Sequence, residues 1–165
     1  MSLPGDRLAS SSWQSMFQSK LPLFGHRNWI VVADSAYPAQ SGAGITTVAA
    51  DADQLEVLRA VLSRLASASH VRPNVHTDRE LRFVSEQDAP GIDAYRRQLD
   101  QLLQGLNVQS AAHEEIIRKL DKVAANFNVL IVKTGLTIPY TSVFLELDCA
   151  YWSPDAESRL RAAMK

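Results

Sequence analysis

Two long apolar runs in this chain end in side chains that could do chemistry. Asp34 closes the run Asn28 to Ala33, and Lys133 and Thr134 close the run Val129 to Val132, with Tyr140 a few residues further on. His26 stands two positions before the first run, directly after Gly25, and His113 lies later in the chain, next to Glu114. An imidazole can take up or release a proton near neutral pH, while carboxylate, ammonium and phenol groups can hold the hydroxyls of a small polar ligand. Each residue also has a plainer reading. An aspartate after a strand can simply cap the next loop, and a Gly-His pair can be a turn with a solvated histidine. His113 can be an exposed residue in a helix's first turn, and Tyr140 beside Pro139 can be a packing residue of a loop. Glu146 and Asp148 alternate on one face of a strand and read as a solvated or interface edge. His70 and His76 have no partners at metal-ligand spacing and receive no role.

The motif inventory narrows the chemistry by exclusion. There is no G-x-G-x-x-G, no P-loop, no G-x-S-x-G elbow and no H-E-x-x-H. The single cysteine, Cys149, can make neither an internal disulfide nor a thiolate zinc cage.

The elements that must position these groups follow from hydrophobic periodicity. Ser11 or Ser12 is expected to cap a short helix carrying Trp13, Met16 and Phe17 on one side, ended by Leu21-Pro22. Asn28 to Ala33 is continuous and β-branched, as in a strand buried on both faces, so helices are expected on both sides of the sheet. Tyr37 to Gly44 reads as a loop, and Ile45 to Ala49 as a second short strand. Asp51 or Asp53 opens a helix whose apolar face is Leu55, Leu58, Val61, Leu62 and Leu65. Val71 to Thr77 and Leu81 to Val84 are predicted strands. A helix from Ile92 ends near Gly105, and Ser110 is expected to start the next, with Ile116, Ile117, Leu120 and Val123 inward. Val129 to Val132 and Val143 to Cys149 are strands, and Ser153-Pro154 begins a final helix. This alternation predicts an α/β protein, a three-layer α/β/α sandwich around a mostly parallel, mixed sheet. In such sheets ligands sit beyond the carboxyl ends of the strands.

With 165 residues, the expectation is one domain over 1–165, with residues 1–12 frayed and 150–165 a C-terminal helical extension. Hydrophobic residues make up 46% and charged residues 21%, which excludes a wholly disordered chain. A net charge of −1 argues against a nucleic-acid partner or a polybasic membrane anchor. No apolar run approaches the roughly 20 residues of a bilayer span. The chain reads as cytoplasmic.

The joint arrangement carries more than its parts. Gly25-His26, a strand ending in Ala33-Asp34 with Pro38 beyond it, His113-Glu114 on a late helix, and Lys133-Thr-Gly-x-x-x-Pro139-Tyr140-x-Ser142 resemble the D-ribose pyranase/L-fucose mutarotase (RbsD/FucU) family. There a G-H opens the first strand, an aspartate-to-proline segment follows it, and R-T-G-E-x-x-P-Y-x-N closes the site. The resemblance runs from about Leu21 to Phe144. It departs at Lys133, where the family has arginine, at Leu136, where it has glutamate, and at Ser142, where it has asparagine.

The resemblance implies an isomerase: a mutarotase or pyranase that interconverts ring or anomeric forms of a free monosaccharide with no cofactor and no metal. His26 and Asp34 would be the acid/base pair, and His113, Lys133, Tyr140 and Ser142 would contact the sugar. A homo-oligomer, possibly a decamer with sites at subunit boundaries, is also implied. Of the aromatics, Trp29 reads as core, whereas Tyr151 and Trp152 could stack on a sugar face. Three other readings stay open: a non-catalytic monosaccharide-binding or sugar-transport-associated module of the same fold, an enzyme for another small carbonyl or lactone compound, and a purely structural role.

Overall fold

The computed structural model of the protein describes residues 12–165; of the residues 1–12 expected to be frayed, 1–11 lie outside the described residues and Ser12 is helical. Six strands form one sheet in the order β2-β5-β1-β6-β3-β4: β1 (Trp29–Ala33), β2 (Ile45–Ala49), β3 (Val71–Asp78), β4 (Asn107–Ala111), β5 (Val129–Lys133) and β6 (Val143–Cys149). Every strand is parallel to the others except β6, which runs antiparallel to both neighbours, β1 and β3. The mostly parallel sheet expected from the sequence is therefore present. Because β6 is reversed, its beginning lies at the edge where β1, β3 and β5 end.

The central strands are buried on both faces, and alternation sorts their residues. Ile30, Val32, Leu130, Val132, Val143 and Leu145 face one side. They pack there with α1 (Ser12–Lys20), α2 (Gln54–Ser67) and α3 (Ile92–Leu102). Trp29, Val31, Val129, Ile131 and Phe144 face the other side with Ile116 and Leu120 of α4 (His113–Ala124). Three helices thus cover one face and one helix covers the other. The last helix, α5 (Pro154–Ala163), buries none of its residues.

The caps are partly local. Asp53 accepts from the Leu55 N–H at the start of α2, and Ser153 accepts from the Ala156 N–H at the start of α5, as Asx- and Ser-type caps do. Two expectations fail. Leu81 to Val84 is no strand: residues Arg79–Arg82 form a 3-10 turn. The Leu81 and Val84 carbonyls accept from the Arg96 guanidinium instead of a neighbouring strand. Nor does Ser110 start a helix. It lies inside β4, paired with Thr77, and α4 begins at His113, whose N–H is received by the Glu80 carboxylate at 3.1 and 3.0 Å. A cap supplied from a distant turn has replaced the local one, and it fixes His113 at the mouth of the sheet.

Candidate functional site

The carboxyl edge of the sheet gathers Asp34 after β1, Asp78 at the end of β3 and Lys133 at the end of β5. The reversed β6 brings Tyr140, Thr141 and Ser142 to the same edge. Ser142 Oγ donates to Asp34 Oδ1 at 2.6 Å and accepts from the Asp34 N–H at 3.2 Å. The Asp78 carboxylate is fully buried; its Oδ2 lies 2.9 Å from His113 Nδ1, and its Oδ1 has no hydrogen-bond partner among the described residues. The Tyr140 ring meets the His113 ring edge-on, with centroids 5.8 Å apart at 78°. Tyr140 as a residue is 42% exposed.

A buried polar network holds this edge from the helical side. Thr134 Oγ1 donates to Gln54 Oε1 at 2.9 Å, Gln54 Nε2 donates to the Tyr95 hydroxyl at 2.9 Å, and Tyr95 and Gln54 both donate to the Thr141 carbonyl. Fully satisfied networks of this kind rigidify what they join. Here they join the loop after β5 to the start of β6. Tyr140 itself has φ +59° and Arg27, next to His26, has φ +77°. These are the two described non-glycine residues in the left-handed region, a conformation costing on the order of 1–2 kcal/mol for an L-residue. Strain of this kind gathers at functional positions, and both cases lie at or beside residues singled out in the sequence.

The electrostatics of the edge follow from burial. Desolvation pushes the Asp78 carboxyl up to about 6, against the opposing charge and hydrogen bond of His113 and with help from Glu80 and Asp34. Burial, followed by the charges of Asp121, Asp78 and Asp34, drives the Tyr37 phenol well above its ordinary value, so it stays neutral. Its hydroxyl donates to Gln40 Oε1. Lys133 is in register with Ala33, one strand from Asp34, and its ammonium makes no hydrogen bond or ion pair among the described residues. Leu136, in the position where glutamate was expected, packs against the helix-side core, while its carbonyl receives the Ser35 N–H.

His26 is elsewhere. It precedes β1, whereas Asp34 follows it, and the four steps of that strand at about 3.3 Å each hold the two ends about 13 Å apart. The expected acid/base pair does not form within one chain, because an extended strand separates its two ends however short the sequence interval. The partner of His26 is Asp148, with Oδ1 at 3.2 Å from Nδ1. Both border a cavity of about 500 Å³ walled by Arg72, Tyr151 and Trp152. His76, given no role from the sequence, lies 3.2 Å from Glu146 and stacks on the buried Trp29 at 5.1 Å.

Of the residues singled out in the sequence, Asp34 and Ser142 meet at this edge and so do His113 and Tyr140; Asp78 and Glu80, which the sequence reading did not single out, bind His113 there. The signal for Asp78 was present: it ends a strand as Asp34 does, and the same rule about carboxyl ends applies to it.

Residues 15–149 match the profile described as the RbsD / FucU transport protein family. No curated protein matches the chain significantly. Among solved structures, the fold is similar to that of Bacillus subtilis RbsD complexed with D-ribose, at 21% identity and TM-score 0.56 over 81% of this chain and 92% of that one. The fucose mutarotase from Streptococcus pneumoniae, in complex with L-fucose, aligns at 23% identity and TM-score 0.55 over 79% and 89%. FucU from Bifidobacterium longum aligns at 19% and 0.54 over 81% and 94%.

Proposed function

The chain belongs to the RbsD / FucU transport protein family, and on that premise we propose that it is a cofactor-independent mutarotase acting on a free monosaccharide. The observation that carries this reading is the paired arrangement at the carboxyl edge. Asp34 with Ser142 and Asp78 with His113 flank a partly exposed Tyr140. Opening a cyclic hemiacetal requires a base to take the anomeric hydroxyl proton and an acid to protonate the ring oxygen as the C–O bond breaks. Ring closure reverses both transfers, so no net proton or electron is consumed. Positioned acid/base groups are worth on the order of 10²–10⁴ in rate, a useful gain for a reaction that already proceeds unaided.

In this reading His26 and Asp34 exchange the protons, and His113, Lys133, Tyr140 and Ser142 bind hydroxyls. Since one chain keeps His26 and Asp34 at opposite ends of β1, the working site joins two copies, with His26 of one entering the carboxyl edge of another. His26 has a 61% exposed side chain, and the exposed apolar side chains of Tyr151, Trp152, Leu160 and Met164 follow it at the chain's end. They would give a second copy surface to cover. The relatives bind D-ribose and L-fucose, which makes aldopentoses and deoxyaldohexoses the first sugars to try.

A second reading, a monosaccharide-binding module without catalysis, draws on Leu136, which turns into the core and gives up a polar contact. Magnetisation-transfer NMR separates the two. The mutarotase reading expects exchange between ring or anomeric forms of some aldose to accelerate in proportion to protein concentration. Saturable binding with no acceleration across a broad aldose panel would remove it. Among the described residues no helix is long and apolar enough to cross a membrane.

A further inference from the structure

We propose that Asp148 is the positioning residue for His26: it fixes the imidazole tautomer and leaves Nε2 free to act on a ligand. The proposal rests on the catalytic reading of His26 given above and extends it to residues outside the sequence resemblance. The geometry is a chain of held groups. Asp148 Oδ2 accepts from Arg72 Nε at 3.3 Å and Nη2 at 3.0 Å, and Oδ1 accepts from the Cys149 N–H at 2.9 Å. Burial alone would push this carboxyl up. The Arg72 hydrogen bond, the Cys149 N–H and the charges of Arg72 and His26 outweigh it and hold Asp148 below the usual carboxylate range. An ionised carboxylate only accepts hydrogen bonds. The His26 nitrogen that faces it, Nδ1 at 3.2 Å, must therefore carry the proton. In the neutral ring Nε2 is then the acceptor, and it makes no hydrogen bond among the described residues.

The brace extends beyond the part of the chain that matches the family profile, which ends at residue 149. Arg72 Nη2 also donates to the Trp152 carbonyl at 3.1 Å, and Trp152 Nε1 donates to Glu157 Oε2 at 2.6 Å. The C-terminal extension therefore clamps the arginine that clamps Asp148. It also walls the cavity into which His26 looks.

The isosteric change Asp148→Asn tests the idea through hydrogen-bond polarity. Both Arg72 and the Cys149 N–H can only donate, but two Arg72 N–H groups meet Oδ2 and one Cys149 N–H meets Oδ1. The guanidinium therefore selects the amide oxygen and turns the NH₂ group toward His26 Nδ1, at the expense of the Cys149 hydrogen bond. That nitrogen must then accept, and the ring proton moves to Nε2. In ¹⁵N-labelled full-length protein in alkaline buffer, with His26→Ala identifying the signal, the wild type is expected to show a protonated Nδ1 and a bare Nε2, and Asp148→Asn the reverse. Exchange of the sugar at saturation is expected to fall about tenfold or more, with KM within about twofold. Asp148→Glu, which keeps an accepting carboxylate, is expected to restore most of the rate. An unchanged tautomer in Asp148→Asn, or a rate within about twofold of wild type, would overturn the proposal. The nitrogen readout needs no sugar, so a wild-type protein that accelerates no aldose would count against the mutarotase reading and leave the tautomer assignment to be decided by the spectra.

Discussion

Replacing His26 with alanine is expected to remove the acceleration of sugar exchange, a loss of about 10²–10⁴ in rate, while leaving the folded protein as stable as before. The two halves of this expectation have separate causes. His26 is mostly exposed, and its one side-chain hydrogen bond or ion pair among the described residues is the 3.2 Å approach to Asp148; solvent-exposed pairs of this kind contribute about 0–1 kcal/mol. Asp148 keeps Arg72 and the Cys149 N–H when the imidazole is gone, so no buried charge is orphaned. Thermal unfolding should therefore superimpose on wild type at equal protein concentration, and magnetisation transfer should show only the spontaneous rate. A variant that exchanges sugar as fast as the wild type would move the chemistry to His113, the imidazole already present at the carboxyl edge.

The second large effect concerns Asp78, and here stability and activity should move differently with pH. Burial raises this carboxyl from 3.8 to about 6, and the neighbouring His113 only partly offsets it. The folded state therefore binds the proton more tightly than the unfolded chain does. Between about pH 4 and pH 6 the native protein holds more protons, so this group's contribution to stability falls as pH rises through that window and is level above it. About two units at 1.36 kcal/mol each gives a decline of up to about 3 kcal/mol. Asp78→Asn carries no charge to bury, so its urea-unfolding free energy should lack that decline, measured from pH 4 to pH 8 at fixed protein concentration. The same variant can still accept a hydrogen bond from His113 but cannot stabilise its cation. Its exchange rate should drop by about tenfold or more. Parallel stability profiles for the two proteins would mean that burial does not raise the Asp78 carboxyl.

Much of this architecture could be read from residue patterns because the patterns are physical. β1 and β5 are unbroken apolar runs, which is what burial on both faces demands, and α2 carries its apolar residues at helical spacing behind the Asp53 cap. The grouping of Asp34, Tyr140 and Ser142 is carried by the family resemblance, and the reversed β6 that returns the chain to the point where β1 ends is seen only in the structure. Other features depended on contacts no local pattern encodes. Ser110 has the look of a helix cap, yet pairing with Thr77 claims its backbone for β4, and Glu80 supplies the cap from another turn. Leu81 to Val84 has strand-like composition, but Arg96 satisfies its carbonyls. The eight-residue interval between His26 and Asp34 fits a shared site only if a second copy supplies one of them, since a straight strand cannot bring its own ends together.

Mixed assemblies test that last point most directly. His26→Ala and Asp34→Asn chains, each inactive alone, would be co-expressed with different tags, and the doubly tagged species isolated and assayed by magnetisation transfer. If each site takes His26 from one copy and Asp34 from another, both groups are intact in about half of the sites of a mixed dimer and in about a quarter of those of a large, randomly mixed assembly, and activity should return to roughly that share of wild type. Isolated mixed assemblies as inactive as either parent would contradict a site shared between copies, and with it the role assigned to His26.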